Sequence, residues 1–463
     1  MTGPLWTSDE IAHAVGGAVS APFTVSGIAF DSREVGPGDL FVAMKGDATD
    51  GHRFVGKAFE AGAAGAMTSQ YVGNRHVLVK DTAVALDALG RASRQRMKGK
   101  VVGVTGSVGK TGTKEALFHA LDRSAPDRVH RSVKSYNNHV GVPLSLARMP
   151  RDSEYGIFEM GMNHAGELSA LTRQVRPHVA VVTAIAPAHI EFFGTEAKIA
   201  EAKAEIFEGL MPGGTAVIPY DSPHVATLYN KAERHAARIL TFGFGAGADV
   251  RAQEAVPAAD GGTLVTASLP GAELCFTVGA PGEHWVSNAL AVLAVVEALG
   301  ADLALAGLAL AEMPGLPGRG ERRRLPVGAG AALLIDESYN ANPLSMAATL
   351  KQLGREKADR RVAVLGGMRE LGERSAALHA DLAGSLASGR VDYAILVGAE
   401  MQPLADVLDG IVEFAHVPDA AAATGLLEKD IRAGDAILVK GSNGIGLSRL
   451  VAALSATPDD GES

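Results

Sequence analysis

The sequence is poor in cysteine, in aromatic side chains and in positive charge. Cys275 is the single cysteine among 463 residues, so no internal disulfide can form and a disulfide scaffold is excluded; one thiol fits a reducing cytoplasm. Lys+Arg 43 against Asp+Glu 52 leaves a net charge of -9, the wrong sign for a protein that wraps nucleic acid by neutralising its phosphates. Any anionic ligand must meet local cations. The longest apolar stretch, 289–311, is broken by Glu297, Gly300 and Asp302 and reads as two packed helices, not a membrane span. The first 16 residues carry Asp9 and Glu10 and no cationic run ahead of an apolar core, so no signal peptide is expected. These absences predict a cytoplasmic protein with neither a membrane span nor a nucleic-acid partner.

Core material is ample. At 47% apolar content and about 150 residues per domain, the chain predicts about three domains, each able to bury a core. Gly 55 and Pro 21 are spread without a repeat, which excludes collagen-like and low-complexity chains. Short β-branched runs alternate with helix-length segments, the α/β pattern of parallel sheets flanked by helices. The clearest strands fall at 101–105, 157–160, 179–185, 216–219, 333–336, 362–365, 394–397 and 436–439. Runs at 263–268 and 273–278 around Pro270 and Gly271 predict a hairpin. The first unit spans 1–98 and closes with a helix and the basic stretch 91–100, which reads as a linker. A central unit spans 99–317 and ends in the Pro/Gly-rich segment 313–320, a smaller alternating unit covers 318–457, and 458–463 is an acidic tail.

After the strand at 101–105 comes Gly106-Ser107-Val108-Gly109-Lys110-Thr111-Gly112 and then a helix-compatible run. Glycines let successive N–H groups turn toward an anion, and the helix N-terminus adds its positive end. Lys110 would reach the outer phosphates and the Thr111 hydroxyl would ligate magnesium. The strict motif places glycine where this chain has Val104, so the match is to a shorter form, and an ordinary Gly-rich turn is the bland alternative. A second Gly-rich loop, Gly441 to Gly446, leaves only 17 residues after it, too few for a dinucleotide β-α-β unit and its ribose-binding acid.

Glu159 ends the strand near 157–160, on the sheet rim where ligands sit, and could complete magnesium coordination opposite Thr111 or, more blandly, cap a helix or sit in solvent. His189, just past the strand at 179–185, reads as a metal ligand or, more simply, as a structural histidine. Lys198 and Lys203 lie among Ile199, Ala200, Ala202 and Ile206, which reads as an amphipathic helix with solvated lysines.

Together, TGSVGKT at 105–111, FEMG at 158–161, HIEFFG at 189–194 and AKAEIF at 202–207, in this order, resemble the Mur ligase superfamily. DSR at 31–33, PGDLFVA at 37–43, Lys45 with Gly46, DGH at 50–52, YNNHVGVP at 136–143, YNANP at 339–343 and MRELGE at 368–373 are similar to the branch that adds D-alanyl-D-alanine. The resemblance implies an α/β fold of three domains: a small UDP-binding N-terminal domain, a central P-loop ATPase domain and a C-terminal Rossmann-like acceptor domain. It implies a monomeric ligase of peptidoglycan precursor synthesis that joins D-alanyl-D-alanine to a UDP-N-acetylmuramoyl-tripeptide through an acyl phosphate, releasing ADP and phosphate.

By the same resemblance, Gly106, Ser107, Val108, Gly109, Lys110, Thr111 and Gly112 wrap ATP, with Asn288 at adenine, His284 beside it, Arg319 at phosphate and Asp336 at ribose. Thr111 and Glu159 hold one magnesium ion, His189 helps hold a second, and Lys203 matches a lysine that carries a CO2-derived carbamate. Ser32, Arg33, Lys45, Gly46, Asp50 and His52 surround the uridine diphosphate, while Asn137, Asn138, Tyr339, Asn340 and Asn342 meet substrate. Trp285 stands where an asparagine is usual, Glu337, Leu344 and Gly367 stand at aspartate positions, and Asn443 replaces an arginine. The same chemistry on another amino acid and a non-catalytic nucleotide-binding regulator are the alternatives.

Overall fold

A computed structural model describes residues 3–46, 49–188, 190–258, 262–313 and 315–456. His189, Pro314 and the 458–463 tail lie outside the described residues.

The first sheet contains β1 (Ala18–Val19), β2 (Gly27–Ala29), β3 (Asp39–Val42), β4 (Gly65–Thr68) and β5 (His76–Leu78) in the spatial order β1-β5-β4-β3-β2. Only β1 runs antiparallel to its neighbour. The helix α1 (Thr82–Arg96) follows, started by the Asp81 carboxylate accepting from the N–H groups of Ala83 and Val84.

The stretch 91–100 is not a linker. Gly90 lies against Pro143, where a Cβ would stand 2.9 Å from its carbonyl oxygen, and Met97 is 3% exposed in the central core. Arg94 is buried and donates from Nε to the Val175 carbonyl at 2.7 Å and from Nη2 to the Arg176 carbonyl at 2.7 Å. Burial pushes its guanidinium down to about 10. The basic character misleads because Arg94 buries its stem and places its head on carbonyls at the end of a neighbouring helix, while Arg91, Lys98 and Lys100 are exposed.

Among the described residues the central sheet has nine strands. In chain order come β6 (Lys100–Thr105), α2 (Lys110–Asp122), β7 (Val129–Arg131), α3 (Gly141–Ala147) and β8 (Tyr155–Glu159). There follow α4 (Glu167–Val175), β9 (Val179–Val182), α5 (Glu196–Ala204), β10 (Thr215–Pro219), β11 (Arg238–Gly243) and β12 (Val250–Pro257). The hairpin β13 (Thr263–Leu269) and β14 (Ala272–Val278) precedes α6 (Glu283–Leu299) and α7 (Leu303–Glu312). Spatial order is β14-β13-β12-β11-β10-β9-β6-β8-β7, parallel from β7 to β12 and antiparallel beyond. The hairpin forms as its sequence predicts, and it joins the edge of the central sheet. Val101, Val102 and Val104 are fully buried, as expected of a strand covered on both faces. β9 stops at Val182, short of the predicted 185, because the next residues bond the loop after β6: Ser107 N–H donates to the Ala184 carbonyl at 2.7 Å.

The third sheet holds β15 (Glu321–Val327), β16 (Gly330–Glu337), β17 (Arg360–Gly366), β18 (Tyr393–Val397), β19 (Glu413–Val417) and β20 (Asp435–Lys440), with α8 (Pro343–Leu353) between β16 and β17. Its order is β15-β16-β20-β17-β18-β19, parallel apart from β15. Among the described residues, no helix is long and apolar enough to cross a membrane.

The first two units are clamped. Trp6 donates from Nε1 to the Ala147 carbonyl at 2.9 Å beneath the Arg96 guanidinium, 3.3 Å from the ring centroid, and Leu144 and Ala147 of α3 belong to the N-terminal core. Gly90→Val should overfill the α1–α3 contact at a cost of about 1–3 kcal/mol, seen as a lower thermal midpoint in calorimetry; an unchanged midpoint would show that the helices can part freely.

Candidate functional site

The site begins at the middle of the central sheet, where β6 turns into α2. Gly109 takes φ 83 and starts the helix; a Cβ there would lie 2.5 Å from Asn288 Oδ1, and one on Gly106 would lie 1.9 Å from Thr183 Oγ1. Both positions therefore demand glycine. Val104 sits inside the strand, paired with Glu159 and Val181, so the missing glycine of the strict motif costs nothing. Thr183 donates to the Val108 carbonyl at 2.5 Å, and Ser107 Oγ to the Ala186 carbonyl at 3.0 Å, which fixes the loop from outside. Lys110 folds back, its Nζ donating to the Gly106 carbonyl at 2.7 Å. Burial, with the Arg319 charge, pushes its ammonium below the usual lysine range, against the pull of Glu159 and Glu370.

At the end of β8, Glu159 is 1% exposed. Its Oε2 accepts from the Thr111 hydroxyl at 2.9 Å and its Oε1 from the Asn137 amide at 2.8 Å. Lys114, one turn beyond Lys110, is fully buried, with Nζ 4.0 Å from Glu159 Oε2 and 2.9 Å from Glu115 Oε1. It also donates to the carbonyls of Ser132 at 2.9 Å and Lys134 at 2.8 Å. Sequence reasoning missed this residue; the signal was a second lysine four positions after Lys110, on the same helical face. Thr183 was missed too, since nothing local marks a threonine as a phosphate-loop brace.

Lys203, in the last turn of α5, is 1% exposed, which corrects the solvated reading for that lysine, while Lys198 is exposed as expected; Ile199, Ala200, Ala202 and Lys203 all face inward. Its ammonium has no hydrogen-bond or carboxylate partner among the described residues. Desolvation, then the Lys110 charge, drives its pKa well below the ordinary value. Thr111 and Glu159 offer adjacent hard oxygen donors, a set that suits magnesium. Among the described residues no group of three or more His, Cys, Asp or Glu forms a metal cage, so an ion here would take its other ligands from water and phosphate oxygens.

The nucleotide candidates gather at the junction with the third unit. Asn288 borders Gly109 and Gly112, and Trp285 lies between Gly112 and Gly320, 3.3 and 3.1 Å from where their Cβ atoms would be. The His284 ring stands 5.8 Å from Trp285, its pKa lowered by burial. Arg319 stacks 4.0 Å over the Tyr339 ring and reaches Ser135 Oγ at 3.4 Å. Asp336 is 4% exposed; it accepts from Gly318 N–H at 2.8 Å and from the Ser338 hydroxyl at 2.6 Å. Its carboxylate thus folds the Pro/Gly-rich hinge.

The remaining candidates divide. Arg33 chelates Asp31 at 2.9 and 2.6 Å, holding that carboxyl down to about 2, and Ser32 lies between them. Lys45 bridges Asp50 through the backbone, Gly46 N–H donates to the Thr49 carbonyl at 3.0 Å, and Asp50 pairs with His52 Nδ1 at 2.6 Å. These residues lie on the first unit, joined to the loop after β7 by Glu34, which accepts from Tyr136 Oη at 2.8 Å and pairs with Lys134. Asn137 reaches the central site, whereas Asn138 accepts from Gly141 N–H at 2.9 Å and starts α3. Asn342 is buried and caps α8 through Ser345 N–H at 2.9 Å. Tyr339 and Asn340 are exposed, and Lys440 donates to the Asn340 carbonyl at 3.0 Å.

The chain matches three family models: "Mur ligase family, catalytic domain" over residues 24–94, "Mur ligase middle domain" over 104–296 and "Mur ligase, glutamate ligase domain" over 318–443. A UDP-N-acetylmuramoyl-tripeptide–D-alanyl-D-alanine ligase from Bacillus subtilis is 32% identical over 98% of this chain and 99% of its own. The ligase of the same name from Escherichia coli is 32% identical over 94% of each. Among solved structures, a MurF from Acinetobacter baumannii superimposes with a TM-score of 0.84 at 31% identity, covering 98% of this chain and 99% of its own. A Thermotoga maritima MurF in complex with ADP gives 0.78 at 28% identity, covering 92% and 96%.

Lys203 carries a stability consequence. The unfolded chain keeps this proton up to the ordinary lysine range while burial weakens its hold in the folded state, so stability rises with pH as that range is approached. Lys203→Met removes the cost: in bicarbonate-free buffer the calorimetric midpoint should exceed wild type at pH 7, the gain shrinking toward pH 10.5, the ordinary lysine value. A variant less stable than wild type at pH 7 contradicts this.

Proposed function

Because the chain belongs to the Mur ligase family, we propose that it is an ATP-dependent ligase of peptidoglycan precursor synthesis, joining D-alanyl-D-alanine to a UDP-N-acetylmuramoyl-tripeptide. The observation that carries this reading is end-to-end similarity to ligases of that name. The exposed, unpaired Cys275 supports a reducing cytoplasm as its setting.

In this reading the three units 1–98, 99–317 and 318–457 divide the work into nucleotide-sugar binding, phosphoryl transfer and acceptor binding. The tripeptide carboxylate attacks the γ-phosphorus of ATP, ADP leaves, and the dipeptide amine then attacks the acyl carbon and expels phosphate. Such transfers depend mostly on positioning and charge neutralisation. Lys110 leaves the Gly106 carbonyl to meet the outer phosphates, while N–H groups of 106–112 and the start of α2 cradle them. Thr111 and Glu159 would hold magnesium, which would supply charge neutralisation at the phosphates, and His189 would help hold a second ion. Asn288 and His284 flank adenine, Arg319 reaches phosphate from the hinge, and Asp336 turns to the ribose. Ser32, Arg33, Lys45, Gly46, Asp50 and His52 take the uridine diphosphate.

Burial lowers the Lys203 pKa and so favours its neutral, nucleophilic amine. It attacks CO2, an N–C bond forms and one proton leaves, so the group becomes an anion beside Lys110. A carbamate turns a repulsion within the site into an attraction.

Phosphate release should require ATP, the tripeptide nucleotide and D-alanyl-D-alanine together; release with a single amino acid and none with the dipeptide would replace the acceptor. Lys203→Ala should lower turnover on the order of 10²–10³-fold, with partial recovery on adding formate or acetate. ATP binding without turnover, unaffected by that substitution, would make the chain a regulator.

A further inference from the structure

Under the ligase reading the third unit holds a zwitterion, and several of its cations are already committed. Lys440 is 2% exposed and committed to Glu337 Oε2 at 3.3 Å and the Asn340 carbonyl. Arg360 is bound to Asp430 and Asp435 at 2.7 Å each, and Arg319 is stacked on Tyr339. Arg369 differs. It is exposed and makes no ion pair among the described residues. Its place is the loop after β17, at the carboxyl edge of the sheet, beside the loop after the neighbouring strand β20, where parallel sheets bind ligands.

The two loops are laced together. Arg369 N–H donates to Ser442 Oγ at 3.0 Å, and Ser442 N–H donates to the Gly367 carbonyl at 3.2 Å. The Arg369 guanidinium lies on Gly444: a Cβ there would stand 2.3 Å from Nη1, and Nη2 is 3.4 Å from the Gly444 carbonyl. Residue 443 of the same loop is asparagine, so the positive charge over the loop comes from residue 369. The loop also meets the central unit: the carbonyl of Glu370, at φ 63, accepts from Glu191 N–H at 3.2 Å, and the Glu370 charge acts on Lys110.

We propose that Arg369, laid on Gly444, binds the terminal carboxylate of the acceptor dipeptide and leaves the amine end directed toward Lys110. This rests on the ligase reading above. A guanidinium presents two parallel donors matched to a carboxylate, and one anchored at the far end orients the attacking amine.

The experiment compares D-alanyl-D-alanine with D-alanyl-D-alaninamide in wild type, Arg369→Ala and Arg369→Lys. Wild type should prefer the free acid. Arg369→Ala should raise KM for the acid about 10–100-fold, leave KM for the amide, ATP and the tripeptide nucleotide within a few-fold, and so lose the preference; Arg369→Lys should keep part of it. A variant that keeps the full preference overturns the proposal, as does one that shifts only KM for ATP or the nucleotide. If wild type turns over only with another amino acid, the acceptor reading fails, and the Arg369 comparison runs unchanged with that amino acid and its amide.

Discussion

A carboxylate buried at the end of a central strand has to be satisfied from several directions at once, and Glu159 organises the molecule around that requirement. Thr111 and Asn137 hydrogen-bond its two oxygens while Lys114 supplies the nearby charge. Those partners come from α2 and from the loop after β7. The same loop carries Lys134 and Tyr136, which hold Glu34 of the first unit. One buried charge therefore ties the phosphate loop, the strand end and the neighbouring sheet into a single arrangement, and leaving any part of it unpaired is costly.

A second buried carboxylate does similar work at the other junction. Asp336 closes the hinge through Gly318 and Ser338, which sets Arg319 over Tyr339 and within reach of Ser135 across the cleft. Glu191 bonding the Glu370 carbonyl and Glu283 pairing with Lys351 and Arg355 complete the contact. The third unit thus meets the central unit at the side of the sheet where β6 turns into α2.

Much of this was legible in the sequence. The α/β alternation, the hairpin and the phosphate loop are local signals, and local signals survive folding. Helix 82–96 was misread at its end because arginines usually mean solvent, whereas Arg94 finds carbonyls contributed by residues 175 and 176. Lys203 was invisible for the complementary reason: the residues that bury it come from distant segments, and only resemblance singled it out. Asn137 and Asn138 look alike in sequence, yet one faces Glu159 and the other starts α3; the turn geometry decides, and pattern alone does not hold it. Lys114 and Arg369 lie in recognisable motifs, but their roles depend on which loops meet in space.

The chain has two tryptophans, and each occupies a different junction. Trp6 is wedged between the first and second units under Arg96; Trp285 lies between α2 and the hinge at Gly320. Indole emission responds to the polarity and charge around the ring, so the protein carries a built-in optical gauge at each seam. Replacing one tryptophan by phenylalanine leaves a reporter on the other, which lets the opening of the two seams be timed separately, without any attached dye.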